Sequence, residues 1–177
     1  MRGNTRLTMR DSTITLFNED LSKADLDSIY NLNQANVPEV GSIANISEFQ
    51  KLLNMSSFNL IAKIDDEVIG YILCFRDKSA YGSLNYKFFS ESISKFLYID
   101  RIAIKDIYRH QGIGKKIYEQ VFNKANELGL PVVCEVNTKP LNEPSLKFHR
   151  KLGFTECGTN EFSYNSCLLY TSPSPRD

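Results

Sequence analysis

The chain has no tryptophan and only two histidines, His110 and His149, and none of its four cysteines (Cys74, Cys134, Cys157, Cys167) falls in a CxxC pair. Without a His/Cys cluster there is no zinc-site pattern, and no metal is expected. Scattered thiols of this kind suit a reducing, cytoplasmic compartment. Net charge is also absent: 21 Lys and Arg balance 21 Asp and Glu, so no global field recruits nucleic acid or an anionic membrane. The longest apolar stretch, "VIGYILCF" (Val68–Phe75), is far short of a membrane span. No repeat and no linker divides the chain, and 177 residues at 42% hydrophobic content can bury one real core.

Both ends differ in character from the middle. Residues 1–12 begin "MRGNTRLTMR", with three Arg and no acid. This is a faint likeness to an organelle transit segment, but without an apolar signal core a disordered leader is the expectation. The last seven residues, "TSPSPRD" (171–177), alternate serine and proline with no apolar anchor. They are expected to be disordered and foreign to the fold. The folded domain is therefore expected over residues 13–170.

Between these ends the hydrophobic pattern alternates strand and helix. "TITLF" (Thr13–Phe17) reads as a strand. Leu26, Ile29, Tyr30 and Asn33 recur at helical spacing from Lys23 and stop before Pro38. Ser47 is the expected N-cap of a second helix carrying Phe49, Leu52 and Leu53. "FNLIAKI" and "VIGYILCF" form a hairpin through Asp65–Glu67. A segment rich in serine and aromatics, "SAYGSLNYKFF" (Ser79–Phe89), has no clean period and reads as a recognition loop or a packed surface excursion. Phe96–Ile104 is a long strand. Ile113, Ile117, Val121, Ala125 and Leu128 make one helical stripe stopped by Gly129 and Pro131. A strand at Val132–Asn137, a helix with Pro144 in its first turn, and one or two closing strands follow. The order is β-α-α-β-β-β-α-β-α-β: an α/β chain with a mixed sheet, helices on its faces, and a parallel crossover from Phe96 to Asn137.

The loop that opens the long helix, Arg109-His110-Gln111-Gly112-Ile113-Gly114, is neither of two familiar phosphate loops. A P-loop needs glycine where Arg109 stands, and a dinucleotide fingerprint needs one where Ile117 stands. Its glycines would still let backbone amides approach a ligand, and the amides of a first helical turn favour an anion. Charge agrees: from Lys105 to Lys151 nine Lys and Arg face five Asp and Glu, an excess of four.

Arg-x-x-Gly-x-Gly in this position resembles motif A of the GNAT superfamily of acyl-CoA-dependent N-acetyltransferases. One strand later, Asn142-Glu-Pro-Ser145-Leu-Lys-Phe148-His149-Arg-Lys-Leu-Gly153-Phe154 resembles its second motif. Together they cover about Phe96–Phe154. "NLNQANVPEVGS", "FRDKSAYGSLNYKFF" and "LYIDRIAI" resemble one branch of the superfamily more closely, which implies no particular substrate. The resemblance implies a GNAT-like, mostly antiparallel sheet and acetyl-CoA as co-substrate. It also implies that the backbone of Ile102, Ala103 and Ile104 pairs with the pantetheine arm, that Arg109 and Gln111–Lys115 (Gln111, Gly112, Ile113, Gly114, Lys115) cradle the pyrophosphate, and that Asn142 and Ser145 lie beside the cofactor. His149 stands where the family usually has tyrosine, beside the CoA sulfur.

Acyl transfer from a thioester to an amine requires a proton acceptor for the amine, a donor for the oxyanion and a proton for the leaving thiolate. Asp100 and Glu135 each interrupt an apolar strand and are the candidate bases, with Tyr98 a third. Asp100 could instead be neutralised by Arg101, and Glu135 could be a structural anchor. By alternation Glu135 shares a face with Asn137, opposite Cys134 and Val136. His149 is the candidate donor to the thiolate. The leading expectation is acetyl transfer to a primary amine, small molecule or peptide, in a ternary complex. The alternatives are a non-catalytic acyl-CoA-binding module and a nucleic-acid-associated regulator, the latter opposed by net neutrality.

Overall fold

Two apolar faces must be covered on the central strands, and this decides the layering. A computed structural model describes residues 12–17, 20–161 and 166–171. Its elements are β1 (Thr13–Leu16), α1 (Lys23–Ala35), α2 (Ile46–Met55), β2 (Phe58–Ile64), β3 (Glu67–Arg76), α3 (Leu84–Ser92), β4 (Leu97–Ile104), α4 (Ile113–Leu128), β5 (Val132–Lys139), α5 (Glu143–Lys151), β6 (Thr155–Glu161) and β7 (Ser166–Thr171). The strands form one seven-stranded sheet in the order β1-β2-β3-β4-β5-β7-β6. Among the described strands only β4 and β5 pair in parallel. The expected leader and tail lie outside the described residues, apart from Ser12 and Thr171; the latter closes β7.

Strand β3 shows why helices lie on both sides. Tyr71, Leu73 and Phe75 belong to a core shared with α1, α2 and α3, while Ile72 and Cys74 belong to a second core under α4 and α5. A strand buried on both faces reads as a continuous apolar run, as "VIGYILCF" does. The β2–β3 turn is tighter than Asp65–Glu67. Asp65 and Asp66 take it alone, at φ 47° and 63°, left-handed angles that aspartate tolerates in two-residue hairpins.

Three local expectations are corrected. Asn45, not Ser47, caps α2; its Oδ1 accepts the Glu48 N–H at 2.9 Å, and Ser47 is an exposed residue inside the first turn. The aromatic segment contains a helix, α3. Ser83 caps it through the Tyr86 N–H at 3.3 Å, and Asn85, Tyr86 and Phe89 are its buried side chains. Nine residues with so short an apolar spacing leave little periodic signal. In α4, Leu128 is exposed and Tyr118 is buried beside Ile117, so the apolar stripe is wider and shorter than expected. Gly129 closes α4 at φ 67° as its left-handed C-cap.

Loss of an N-cap side chain costs about 1 kcal/mol. Asn45→Ala should therefore destabilise the protein by about that amount in urea unfolding, whereas Ser47→Ala should change stability by less than about half as much.

Candidate active site

The sheet opens at its centre. β4 and β5 pair at Leu97↔Val132, Tyr98↔Val133 and Ile99↔Cys134, and no further. Beyond that point β4 stays on β3, through Ile102↔Ile72, Ala103↔Tyr71 and Ile104↔Gly70. β5 stays on β7, through Val136↔Leu168 and Asn137↔Cys167. The backbone of Ile102–Ile104 thus faces a gap on the β5 side, with no strand partner there among the described residues. A main-chain edge of this kind can take an extended ligand as an added strand.

A bulge sits where the strands part. Cys74 pairs with Ile99 and Leu73 with Arg101, so Asp100 is the extra residue. Strict alternation would send Asp100 and Arg101 to opposite faces; the bulge turns both toward the α1–α3 face. There Arg101 Nε donates to Asp100 Oδ2 at 2.7 Å and Tyr81 Oη donates to Asp100 Oδ1 at 2.6 Å. Arg101 Nη1 continues to Asn33 Oδ1 and to the Gly41 carbonyl, both at 3.0 Å. Asp100 is thereby the neutralised partner of Arg101, one of the two roles its sequence position allows. The pair fastens the Val37–Ser42 connection and the Tyr81 loop to β4.

Glu135 lies on that same face one strand away. Tyr98 Oη donates to its two oxygens at 2.8 and 2.7 Å. Burial, and secondarily the charge of Asp100, push the Glu135 carboxyl up to about 8, although the Tyr98 bond pulls the other way. Burial and then the Glu135 charge raise the Tyr98 phenol, which makes Tyr98 a donor to Glu135 rather than a base. Asn137 shares the face, as alternation predicts, and its amide donates to the Pro38 carbonyl at 3.3 Å.

The opposite face of the gap is built by α4 and α5. Asn142 caps α5 by accepting the Ser145 N–H at 3.4 Å. Seven residues on, His149 is buried with its Nδ1 2.7 Å from the Ser145 carbonyl and its Nε2 2.6 Å from Tyr118 Oη. A carbonyl only accepts, so Nδ1 carries the hydrogen and Nε2 receives the Tyr118 hydroxyl. Burial holds the imidazole below its ordinary pKa. Its N–H is therefore committed to Ser145. Sequence reasoning missed Tyr118 because it follows Ile117 on a face read as core; the phenolic tip among apolar neighbours was the available signal.

The loop into α4 carries the third part. His110 and Gly112 adopt φ 61° and 80°, and at 80° glycine alone is unstrained. The first bond of α4 is Lys116 N–H to the Gly112 carbonyl at 3.1 Å. The N–H groups of Ile113, Gly114 and Lys115 precede that ladder, at the positive end of the helix dipole. Ile113 itself is a buried core anchor, and a Cβ on Gly114 would stand 3.5 Å from Phe148 Cζ on α5. Lys115 and Lys116 are exposed. Arg109 is more occupied than expected: it pairs with Asp106 at 2.9 Å, donates to the Ile104 carbonyl at 3.2 Å and reaches Asn36. Gln111 bonds back to the Ile107 carbonyl at 3.1 Å. These two side chains shape the loop.

A cavity of about 690 Å³ joins the two faces. Asp100, Glu135, Asn142, Ser145 and His149 all line it, as does Tyr118. Residues of the Val37–Ser42 connection and of the Tyr81–Asn85 segment line it too. Residues 26–154 match the model of the acetyltransferase (GNAT) family. The chain belongs to that family. Among solved structures it is similar to the ribosomal-protein-S18-alanine N-acetyltransferase from Escherichia coli, at 15% identity and a TM-score of 0.69 over 94% of this chain and 96% of that one. It is also similar to a chain of the NatC complex bound to Gag peptide and CoA, at 18% identity and TM-score 0.69 over 92% and 98%. Arabidopsis thaliana NAA60 in complex with acetyl-CoA aligns at 16% identity and TM-score 0.68 over 91% and 97%. Identities this low establish the fold. Among curated proteins none matches the sequence. No described helix is long and apolar enough to cross a membrane.

The Glu135 carboxyl has an ordinary pKa of 4.5 and, folded, one of about 8. The folded state therefore binds more protons between those values, so stability is full below the lower one and falls as pH rises through the upper one. Glu135→Gln should flatten that decline, and thermal melts of both proteins from pH 4.5 to 8.5 measure it. Parallel melting curves across the range would show that Glu135 is not held protonated.

Proposed function

We propose that this acetyltransferase-family protein moves an acetyl group from acetyl-CoA to a primary amine, of a small molecule or a peptide, by direct attack in a ternary complex in the cytoplasm. The parting of β4 from β5 beside the amide-rich start of α4 carries the reading. Ile102, on the unpaired strand edge, and the buried Glu135 carboxyl line one cavity, and the first-turn amides of α4 are suited to an anion.

In this reading the backbone of Ile102, Ala103 and Ile104 pairs with the pantetheine arm, and an N–H near Ile102–Ala103 faces the developing oxyanion. The amides of Gly112–Lys115 hold the pyrophosphate, Lys115 and Lys116 add charge, and Arg109 and Gln111 fix the loop. Asn142 and Ser145 flank the thioester. Glu135 takes the first proton, the one an incoming ammonium must lose before its nitrogen can attack. A carboxyl held near 8 is matched to that task, because a base works best when its pKa lies near the operating pH. The approaching cation also favours its ionised form. Asp100 acts through Arg101, holding the walls of the acceptor end. A module that binds acyl-CoA without chemistry is the second reading, favoured by the committed N–H of His149.

Calorimetry with acetyl-CoA and a thiol-reactive dye with a panel of amines test both. Gly112→Glu and Gly114→Glu each place a carboxylate among the phosphate-binding amides, the second without left-handed strain, and should weaken acetyl-CoA binding at least thirtyfold. Parent-like binding by Gly114→Glu removes the phosphate loop from the proposal. Tight binding with no thiol released by any amine leaves the binding module.

A further inference from the structure

The hydrogen-bonded pair of Tyr118 and His149 has a polarity that matters. Since His149 Nδ1 carries the hydrogen, the Tyr118 O–H lies on Nε2 at 2.6 Å. What Tyr118 Oη has left to offer the cavity is an oxygen lone pair. A hydroxyl with its acceptor side toward a cavity and a neutral imidazole behind it can receive a proton from that cavity.

We propose that Tyr118 and His149 form a proton store for the acyl transfer: Tyr118 Oη takes a proton from the attacking nitrogen as its own proton passes to His149 Nε2, and the reverse path delivers a proton to the departing sulfur. The proposal rests on the acetyl-transfer reading above and adds Tyr118 to it.

The steps balance. The amine nitrogen bonds to the thioester carbon, and the carbonyl electron pair moves to oxygen. The surplus proton on nitrogen goes to Tyr118 Oη, and the phenolic proton goes to His149, which becomes an imidazolium. The C–S bond then breaks with its electron pair on sulfur while the C=O re-forms. Tyr118 gives its proton to sulfur and is reprotonated by His149. Amide and free thiol remain, and both side chains are neutral again. Nitrogen and sulfur are bonded to the same carbon during these steps, so a single hydroxyl can serve both. The proton on Glu135 is a separate one, lost by the ammonium before attack.

Burial disfavours the imidazolium and the Ser145 carbonyl offsets part of that cost, so the charged ring is transient. The Ser145 carbonyl at 2.7 Å makes a charge-assisted bond with it. The rings of Tyr118, Phe148 and Phe154 stand against the imidazole with centroids 5.3 to 5.5 Å away. At rest, burial lowers the imidazole and raises the phenol, which keeps the pair neutral.

Tyr118→Phe keeps the ring and its packing and removes the relay atom. His149→Gln can still accept a hydrogen bond from Tyr118 and cannot hold a proton. With the full-length protein, acetyl-CoA and the best amine of the panel, each variant should lower kcat at least tenfold. The KM for the amine and the Kd for acetyl-CoA should stay within about twofold, a split that loss of packing alone would not give. Parent-like kcat in either variant, folded and binding acetyl-CoA normally, overturns the store while acetyl transfer stands. A parent that binds acetyl-CoA yet acetylates no amine overturns the transfer reading, and the store with it.

Discussion

Two neighbouring strands that pair for three residues and then separate create a problem that the rest of the molecule answers. Backbone N–H and C=O groups inside a sheet must find partners, so a central gap persists only where each strand is held from its other side. β4 is held by β3 down to Ile104↔Gly70 and β5 by β7 to Lys139↔Ser166. Gly70 is part of that arrangement: a Cβ there would lie 2.9 Å from Ile104 Cδ1 and 3.2 Å from the Ala103 carbonyl. Glycine lets β3 and β4 close up along the length where β4 has lost its other neighbour. The gap is an imposed feature, and the pantetheine pairing proposed above is one way for an extended ligand to complete it.

The bulge at Asp100 connects this opening to the walls of the cavity. By placing two successive residues on one face it makes a buried ion pair of Asp100 and Arg101, whose side chains are 4% and 9% exposed. Breaking such a pair is strongly destabilising, because one charge is left buried alone. Its remaining bonds run to Asn33, Gly41 and Tyr81, which lie on α1, on the connection after it and in the segment before α3. One irregularity in β4 thus orders three pieces of chain that are distant in sequence on the α1–α3 side of the cavity.

The sequence shows the parts of this arrangement that depend on local chemistry. Gly112, Gly129 and Pro144 each mark an element boundary by a requirement of the backbone itself, and all three stand where such requirements put them. The pairing of Glu135 with Asn137 on one face follows from the two-residue period of a strand. The features that could not be read are those set by contact across the fold. The bulge exists only in the pairing of β4 with β3, and without it Asp100 and Arg101 alternate. α3 is made helical by burying Tyr86 and Phe89 against Phe75, Phe96 and Tyr98, a tertiary contact its own nine residues do not announce. Tyr118 looks like any aromatic on a helix until α5 brings His149 to it.

The two faces of the gap differ in their electrostatics, and in the proposed transfer this difference orders the chemistry. On the α1–α3 side a carboxyl is raised by burial and by a neighbouring carboxylate, so it is poised to gain and lose a proton near neutrality. On the α4–α5 side an imidazole is lowered by burial, so it rests neutral, its Nε2 accepting the Tyr118 hydroxyl. In the proposed transfer an incoming ammonium is discharged by the first environment and attacks beside the second. It can surrender one proton to an anion that welcomes a cation. As a neutral amine it then meets a neutral pair that does not repel the positive charge developing on nitrogen. Exchanging the two environments would put a neutral base where a cation must be discharged and an anion beside a departing thiolate, and like charges there would oppose the loss of sulfur. The cavity at the parted strands is lined by both environments, which is what the proposed transfer asks of them.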